Sequence, residues 1–369
     1  MIIIFSGYNQ RAIIAFLRSM KKNNIENYYI IAASINDTIL KTDYANKVYY
    51  IRKKQELNKQ EIFNVFHELS AKIKDSFVVV PSTEALNRFL LENRFELNKM
   101  KFIVPMVNKQ LYEKISDKES FWKICKYNAL DVPELISLNE SFKQPYVAKP
   151  KKYYNCAGKV FSPILVFCEQ EHRDFLKNYP SDDFDYQEYI EGNSYYLLFY
   201  FAQNGEVYKF SQTNYAQQIG GKSILAAAVS DIHKNNICNR YVSLFKNLKY
   251  TGFVMIELRE SNGIYYMIEA NPRFWGPSQL FVDAKMPFFE AFLNDYNEPI
   301  PFSLENIDYD AKYLWSGGCR QEIVNEDKCV FLGEGKRILS ENWNEFVSSD
   351  IYKRNDTINI YNFEKGGNR

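Results

Sequence analysis

Short apolar runs alternate with amphipathic stretches through the first hundred residues. Ile2–Phe5, Tyr28–Ala33, Val48–Ile51, Phe77–Val80 and Phe102–Val104 are too short for helices and apolar at successive positions, which predicts strands buried on both faces. Between them the spacing changes to that of a helix. Ile13, Ile14, Phe16, Leu17 and Met20 line one side of a segment from about Gln10 to Lys22, and similar stretches cover Ile62–Ile73 and Ala85–Phe95. Strand and helix in alternation predict a small, doubly wound α/β domain.

Beyond residue 107 the pattern changes. Ser116-Asp117-Lys118-Glu119 reads as the start of a helix running to Tyr127, with Ser116 as cap and Glu119 completing a capping box. A strand ends in Lys149 within Pro145–Pro150. Tyr195–Ala202 and Val207–Ser211 are joined by Asn204-Gly205, a hairpin signal. A helix is expected over Asp231–Leu248. It leads into a second hairpin, Phe253–Arg259 and Tyr265–Asn271, turned by Ser261-Asn262-Gly263. Pro287–Leu293 reads as a helix, and Pro299 and Pro301 mark a boundary. The last segment has strand-like runs at Lys328–Leu332 and Thr357–Tyr361, no recognisable chemistry, and a frayed Gly366–Arg369 tail.

A chain of 369 residues with a 46% hydrophobic share can build two or three packed domains. Lysine and arginine number 46 against 45 acids, so nothing in bulk favours a nucleic-acid partner. The six cysteines include no Cys-x-x-Cys, and the three histidines form no triad or zinc pattern. No run approaches the roughly 18 apolar residues of a membrane span, and Met1–Phe5 is too short for a secretory core. A cytoplasmic chain is expected, with a homodimer left open.

The chemistry concentrates in the second hairpin. Glu257 and Glu269 each stand among apolar residues, and Asn271 follows Glu269 by two positions, on the same face of an extended chain. Buried carboxylates need a cation. Two carboxylates and an amide are hard oxygen donors suited to Mg²⁺, and Arg273 adds a forked cation for phosphate or carboxylate oxygens. Spacing alone leaves open that both acids lie on a solvated face. Pro81-Ser82-Thr83-Glu84, just past a strand end, has two readings as well: a ligand-binding turn, or a helix N-terminus capped by Ser82 or Thr83.

Glu269-Ala-Asn-Pro-Arg-Phe-Trp-Gly276, following an acid-bearing strand, resembles the metal-binding signature of the ATP-grasp superfamily. The likeness is strongest to carboxylate-amine ligases and single-copy relatives of carbamoyl-phosphate synthase. It implies that Glu257, Glu269 and Asn271 hold Mg²⁺, with Mn²⁺ as a substitute, and that Lys118 and Lys149 contact the phosphates of ATP. It makes Asp185–Gly192 the adenine hinge: Gln187 or Glu188 takes the amino group, and backbone near Tyr189 and Ile190 reads the ring edge. The acid that holds the ribose in such proteins falls at Ser194, leaving Glu191 as its substitute. The family's glycine-rich lid corresponds to Lys151–Lys159, which has a single glycine and lysines at 151, 152 and 159. Arg273 and, more weakly, Lys222 of Gly220-Gly221-Lys222 become contacts for the reacting groups.

The resemblance also implies a layout. Residues 1–107 form the domain preceding the ATP-grasp unit, 108–298 the unit itself with a lid subdomain near 132–190 and a metal-binding subdomain near 191–298, and 299–369 an appendage. The implied activity is an ADP-forming ligase that joins a small-molecule carboxylate to an amine through an acyl phosphate. The alternatives are a nucleotide-binding regulatory protein without turnover and a carboxylate kinase.

Overall fold

The structure, a computed structural model, describes residues 1–151, 163–296, 299–319 and 329–366. Strands β1 (Ile2–Phe5), β2 (Tyr28–Ala32), β3 (Val48–Ile51), β4 (Phe77–Val79) and β5 (Phe102–Ile103) form one sheet in the order β3-β2-β1-β4-β5, every pairing parallel. Alternation along these strands divides their side chains between two cores. Ile2, Ile4 and Ile30 pack with helix Gln10–Lys22, while Ile3, Phe5 and Val79 pack with helices Lys59–Lys72 and Glu84–Glu92. The doubly wound arrangement read from the sequence is therefore present.

A three-stranded antiparallel sheet follows, built from β6 (Tyr146–Pro150), β7 (Ile164–Val166) and β8 (Phe184–Glu188) in the order β7-β6-β8. Tyr146, Ala148, Val166 and Tyr186 pack on Phe175 of helix Glu169–Asn178. The opposite face carries Val147 and Lys149, in register with Gln187 and Asp185. Lys152 and Lys159 of the expected lid lie outside the described residues.

The largest sheet runs β13 (Ile264–Asn271), β12 (Gly252–Ser261), β9 (Asn193–Phe201), β10 (Val207–Gln217), β11 (Ile224–Val229) and β14 (Lys312–Leu314), with β15 (Val330–Phe331) on β10. One face, with Leu197, Phe199, Val254 and Ile256, is covered by helix Asn236–Asn247. The other presents Leu198, Tyr200, Phe253 and Met255 to Phe274, Phe289 and helix Gln10–Lys22. That helix lies between the parallel sheet and the largest one. The Phe16 ring is 5.5 Å from Phe274 and 5.0 Å from Phe289, a packed contact that fixes the spacing of the two sheets.

Four local expectations are corrected. Ser116 is the last residue of helix Lys109–Ser116; the extended residue is Asp117, whose carboxylate accepts from Ser120 N and caps helix Lys118–Tyr127. Ala85–Phe95 is two helices, Glu84–Glu92 and Arg94–Lys99, broken at Asn93. The helix expected from Asp231 begins at Asn236, after a single 3₁₀ turn at Ile232–Lys234. Thr357–Tyr361 is helical: Thr357, Ile360 and Tyr361 are buried, the i, i+3, i+4 spacing of a helix concealed by an alternating sequence.

The final segment is integrated into the fold. It supplies β14, buries Tyr313, Ile351 and Tyr352 in the shared core, and reaches back through Asp356 to Arg18 at 2.8 Å.

Candidate active site

The second hairpin brings its acids together by register. Glu257 on β12 stands directly opposite Glu269 on β13, and cross-strand partners share a face. The row continues across the sheet, Glu257 pairing with Tyr196 and Tyr196 with Gln212. Polar side chains therefore form a transverse line beside the apolar part of that face, made by Leu198, Phe253 and Met255. The reading of a solvated face fails here, because the same face carries Phe253 and Met255 into the core.

A β-bulge sets this geometry. Leu258 pairs with Met267 and Glu257 with Glu269, so Ile268 is the extra residue. In an unbroken strand Met267, Glu269 and Asn271 would point the same way. The bulge turns Met267 to the core beside Ala270 and leaves the Ile268 carbonyl outside the ladder, where it accepts from Lys149 Nζ at 3.2 Å. Bulges recur beside active sites for this reason.

Charges of both signs converge on the pair. Lys118, the first residue of its helix, places Nζ 3.4 Å from Glu269 Oε2. Asn271 Nδ2 donates to Glu269 Oε1 at 2.7 Å, and Arg273 Nη2 donates to Asn271 Oδ1 at 3.3 Å. Burial, reinforced by the charge of Glu269, pushes the Glu257 carboxyl up to about 7. Burial also works to raise Glu269, but Lys118, the Asn271 amide, Arg273 and Lys149 together hold it below the ordinary value. Glu269 lies deep in the cleft and still keeps 28% of its side-chain surface toward cleft water. Burial lowers Lys149 to about 8, assisted by Lys118 and opposed by the two acids.

Among the described residues no three His, Cys, Asp or Glu side chains gather as a metal cluster. The set here is two carboxylates and the Asn271 amide. Two facing acids, one of them lifted to about 7 by burial and by the charge of the other, form a site that a divalent cation would complete.

The hinge residues separate. Gln187 is buried, and its Oε1 has no hydrogen-bond partner. Lys149 lies one step along the same face of the three-stranded sheet. Glu188 Oε1 instead accepts from Glu134 N at 3.0 Å. Tyr189 N is paired with Pro145 O at 3.2 Å, Ile190 is half-buried and Glu191 exposed. Ser194 is an interior group, its Oγ accepting from Asn214 Nδ2 at 3.1 Å.

Glu269, Asn271, Arg273 and Lys222 line one cleft of about 840 Å³, together with Asn9, Arg11, Arg52, Ser82, Tyr196 and Trp275. Thr83 caps the helix after β4, as the capping reading of Pro81–Glu84 expects, and Ser82, Thr83 and Glu84 also line the cleft. Sequence reasoning did not find Tyr196, Gln212, Arg52 or Arg11. Strand alternation marks neither Tyr196 nor Gln212, Arg11 stands on helix Gln10–Lys22 and Arg52 just past β3, and Tyr196 becomes a neighbour of Glu257 only through sheet register.

No protein-family model matches the sequence, and no curated protein matches it. Solved structures do match by shape. N5-carboxyaminoimidazole synthetase from Staphylococcus aureus, complexed with ADP, superimposes with a TM-score of 0.59 at 16% identity over 82% of this chain and 78% of its own. The biotin carboxylase domain of Hydrogenobacter thermophilus 2-oxoglutarate carboxylase, in complex with MgADP, ADP and bicarbonate, gives 0.58 at 11% identity over 84% and 73%. Biotin carboxylase from Campylobacter jejuni gives 0.58 at 12% identity over 84% and 74%. These neighbours are ATP-grasp enzymes, and the parallel sheet, the small antiparallel sheet and the large sheet ending in an acid-bearing hairpin make this chain a further example of the ATP-grasp fold.

Proposed function

We propose that the protein is a magnesium-dependent, ADP-forming ligase that joins a small carboxylate to an amine through an acyl phosphate. The observation that carries this reading is the Glu257–Glu269 pair, encircled by Lys118, Lys149, Asn271 and Arg273 at one end of the cleft. Structural neighbours with ADP or MgADP bound support it.

In this reading Gln187 Oε1, a buried acceptor without a donor, takes the adenine amino group, and Lys149 on the same sheet face reaches the phosphates. At pH 7 a lysine titrating near 8 is still mostly charged. Lys118 exchanges its contact with Glu269 for a phosphate. Glu257, Glu269 and Asn271 would hold Mg²⁺, which supplies neutralisation of phosphate charge during phosphoryl transfer. Arg273 and Lys222, both lining the cleft, orient the substrate carboxylate. Its oxygen attacks the γ-phosphorus and ADP leaves; the amine then attacks the acyl carbon, loses a proton and expels phosphate. No side-chain nucleophile is needed, because positioning and charge neutralisation account for such chemistry.

The test is ADP release from ATP and Mg²⁺ with pooled carboxylates and amines, followed by a mass-spectrometric search for a conjugate one water lighter than its parents. ADP release requiring both pools supports the ligase. Tight ATP binding with no ADP release from any pool would leave a nucleotide-binding regulator.

A further inference from the structure

The cleft extends from the metal hairpin to the carboxyl ends of β1 and β4, where Ser6, Tyr8, Asn9, Arg52, Ser82 and Phe89 line it. Its cations differ in what they already hold. Arg88 is paired with Glu84 at 2.8 Å. Arg11 stacks on Trp315 and donates to Ile224 O, Tyr313 Oη and Ser223 Oγ. Arg273 donates to Phe274 O and Asn271 Oδ1.

Arg52 is the exception. It is 4% exposed, and Nη1 donates only to the carbonyls of Gln55 and Glu56, at 3.4 and 3.2 Å. Its Nε has no acceptor, and no carboxylate pairs with it among the described residues. The acids near it are committed elsewhere. Asp37 accepts from Ser6 Oγ, Ala33 N and Ile39 N, and Glu61 from Tyr50 Oη, Lys53 N and Lys54 N. Two more lining side chains hold buried polar atoms without partners: the Ser82 hydroxyl, on a residue 0% exposed, and Trp275 Nε1, on a residue 1% exposed.

All three orphaned groups can donate. A buried guanidinium without a counter-charge and donors without acceptors are each costly. An apolar or cationic ligand leaves that cost in place, whereas an oxyanion removes it. From these observations we infer that the N-terminal wall of the cleft is an oxyanion subsite, in which Arg52 and Ser82 bind a carboxylate or phosphate of the substrate other than its reacting carboxylate. The subsite deepens the ligase reading and rests on it only in calling the bound molecule a substrate. It assigns that substrate a second negative charge next to an apolar body, which Tyr8, Leu57 and Phe89 would contact.

The test uses calorimetric titration of the full chain without ATP or Mg²⁺. Its probes are phenylacetate, phenyl phosphate and neutral phenylacetamide, which share one body and differ in head group. Either anion should bind, with phenylacetamide at least about tenfold weaker, the scale of one charge-assisted hydrogen bond. The tighter anion tells carboxylate from phosphate. Ser82→Ala and Arg52→Lys should each raise Kd roughly fivefold or more. Ser82→Ala covers the case in which the arginine variant fails to fold. Lys149→Ala, in the nucleotide site, should bind the anions as wild type does. Equal affinity for the amide, unchanged affinity in both cleft variants, loss of binding in Lys149→Ala, or no binding of either anion would each overturn the subsite. If the anions bind as expected but ATP is never turned over, the subsite stands and the ligase reading falls.

Discussion

Glu257 and Glu269 face each other across the last hairpin and divide their charge unequally. Burial and its neighbour's charge lift Glu257 to about 7, while Lys118, Asn271, Arg273 and Lys149 keep Glu269 ionised. Glu257 thus takes up a proton on folding anywhere between its ordinary value of 4.5 and about 7. A carboxyl raised in the folded state stabilises it fully below that window and ceases to do so as pH rises through it. In EDTA, Glu257→Gln should raise the unfolding midpoint by a few degrees near pH 8 and leave it nearly unchanged near pH 4, on the order of 1–2 kcal/mol. Added Mg²⁺ should reverse the order, since only wild type gains stability by binding it. Thermal scans with and without metal at both pH values measure this, and an equal Mg²⁺ gain in the variant would remove Glu257 from the metal set.

Lys149 connects the small sheet to the large one through Ile268 O, and burial brings it to about 8. In the proposed nucleotide site its charged form is the one that would bind phosphate. ATP affinity should therefore fall as pH rises above about 8, and Lys149→Ala should abolish that dependence while raising Kd roughly tenfold at pH 7. Nucleotide titrations across pH test this. A pH profile that survives in the variant would assign it to another group.

Much of this could be read from residues 257–276, because a dense motif states its chemistry locally. Relations between distant segments could not. Tyr196 meets Glu257 only once β9 pairs with β12. Arg18 finds Asp356 across 338 positions, so the C-terminal segment read as an appendage although it closes the core. Met267 and Ala270 both reach the core although they are of opposite parity, and that requires the bulge at Ile268, which no composition rule marks.

Gln187 and Glu188 were equal candidates for the adenine hinge, and their partners now distinguish them. Glu188 is occupied by Glu134 N, whereas the Gln187 acceptor is buried and unpaired. Gln187→Leu should remove the preference for ATP over GTP and weaken ATP binding by about 1 kcal/mol or more, while Glu188→Gln changes little. Competition titrations with both nucleotides decide it, and the opposite pattern would return the role to Glu188.

The bulge itself gives the sharpest separation of fold from site. Leu258 opposes Met267 and Glu257 opposes Glu269, so the strand on either side of Ile268 is already in phase with its partner. Deleting Ile268 joins Met267 directly to Glu269 in an unbroken alternation. Met267 and Ala270 keep their core positions, and Glu269 keeps its place opposite Glu257. What is lost is the free carbonyl that receives Lys149 at 3.2 Å and the local twist that a bulge adds. The deletion should fold, with near-normal far-ultraviolet circular dichroism and a midpoint within a few degrees of wild type. Its MgATP affinity should fall roughly tenfold, as in Lys149→Ala, because the lysine has lost the acceptor that aims it. A folded deletion variant that binds MgATP normally would show that the bulge does not position Lys149, and one that fails to fold would show that the bulge serves the sheet.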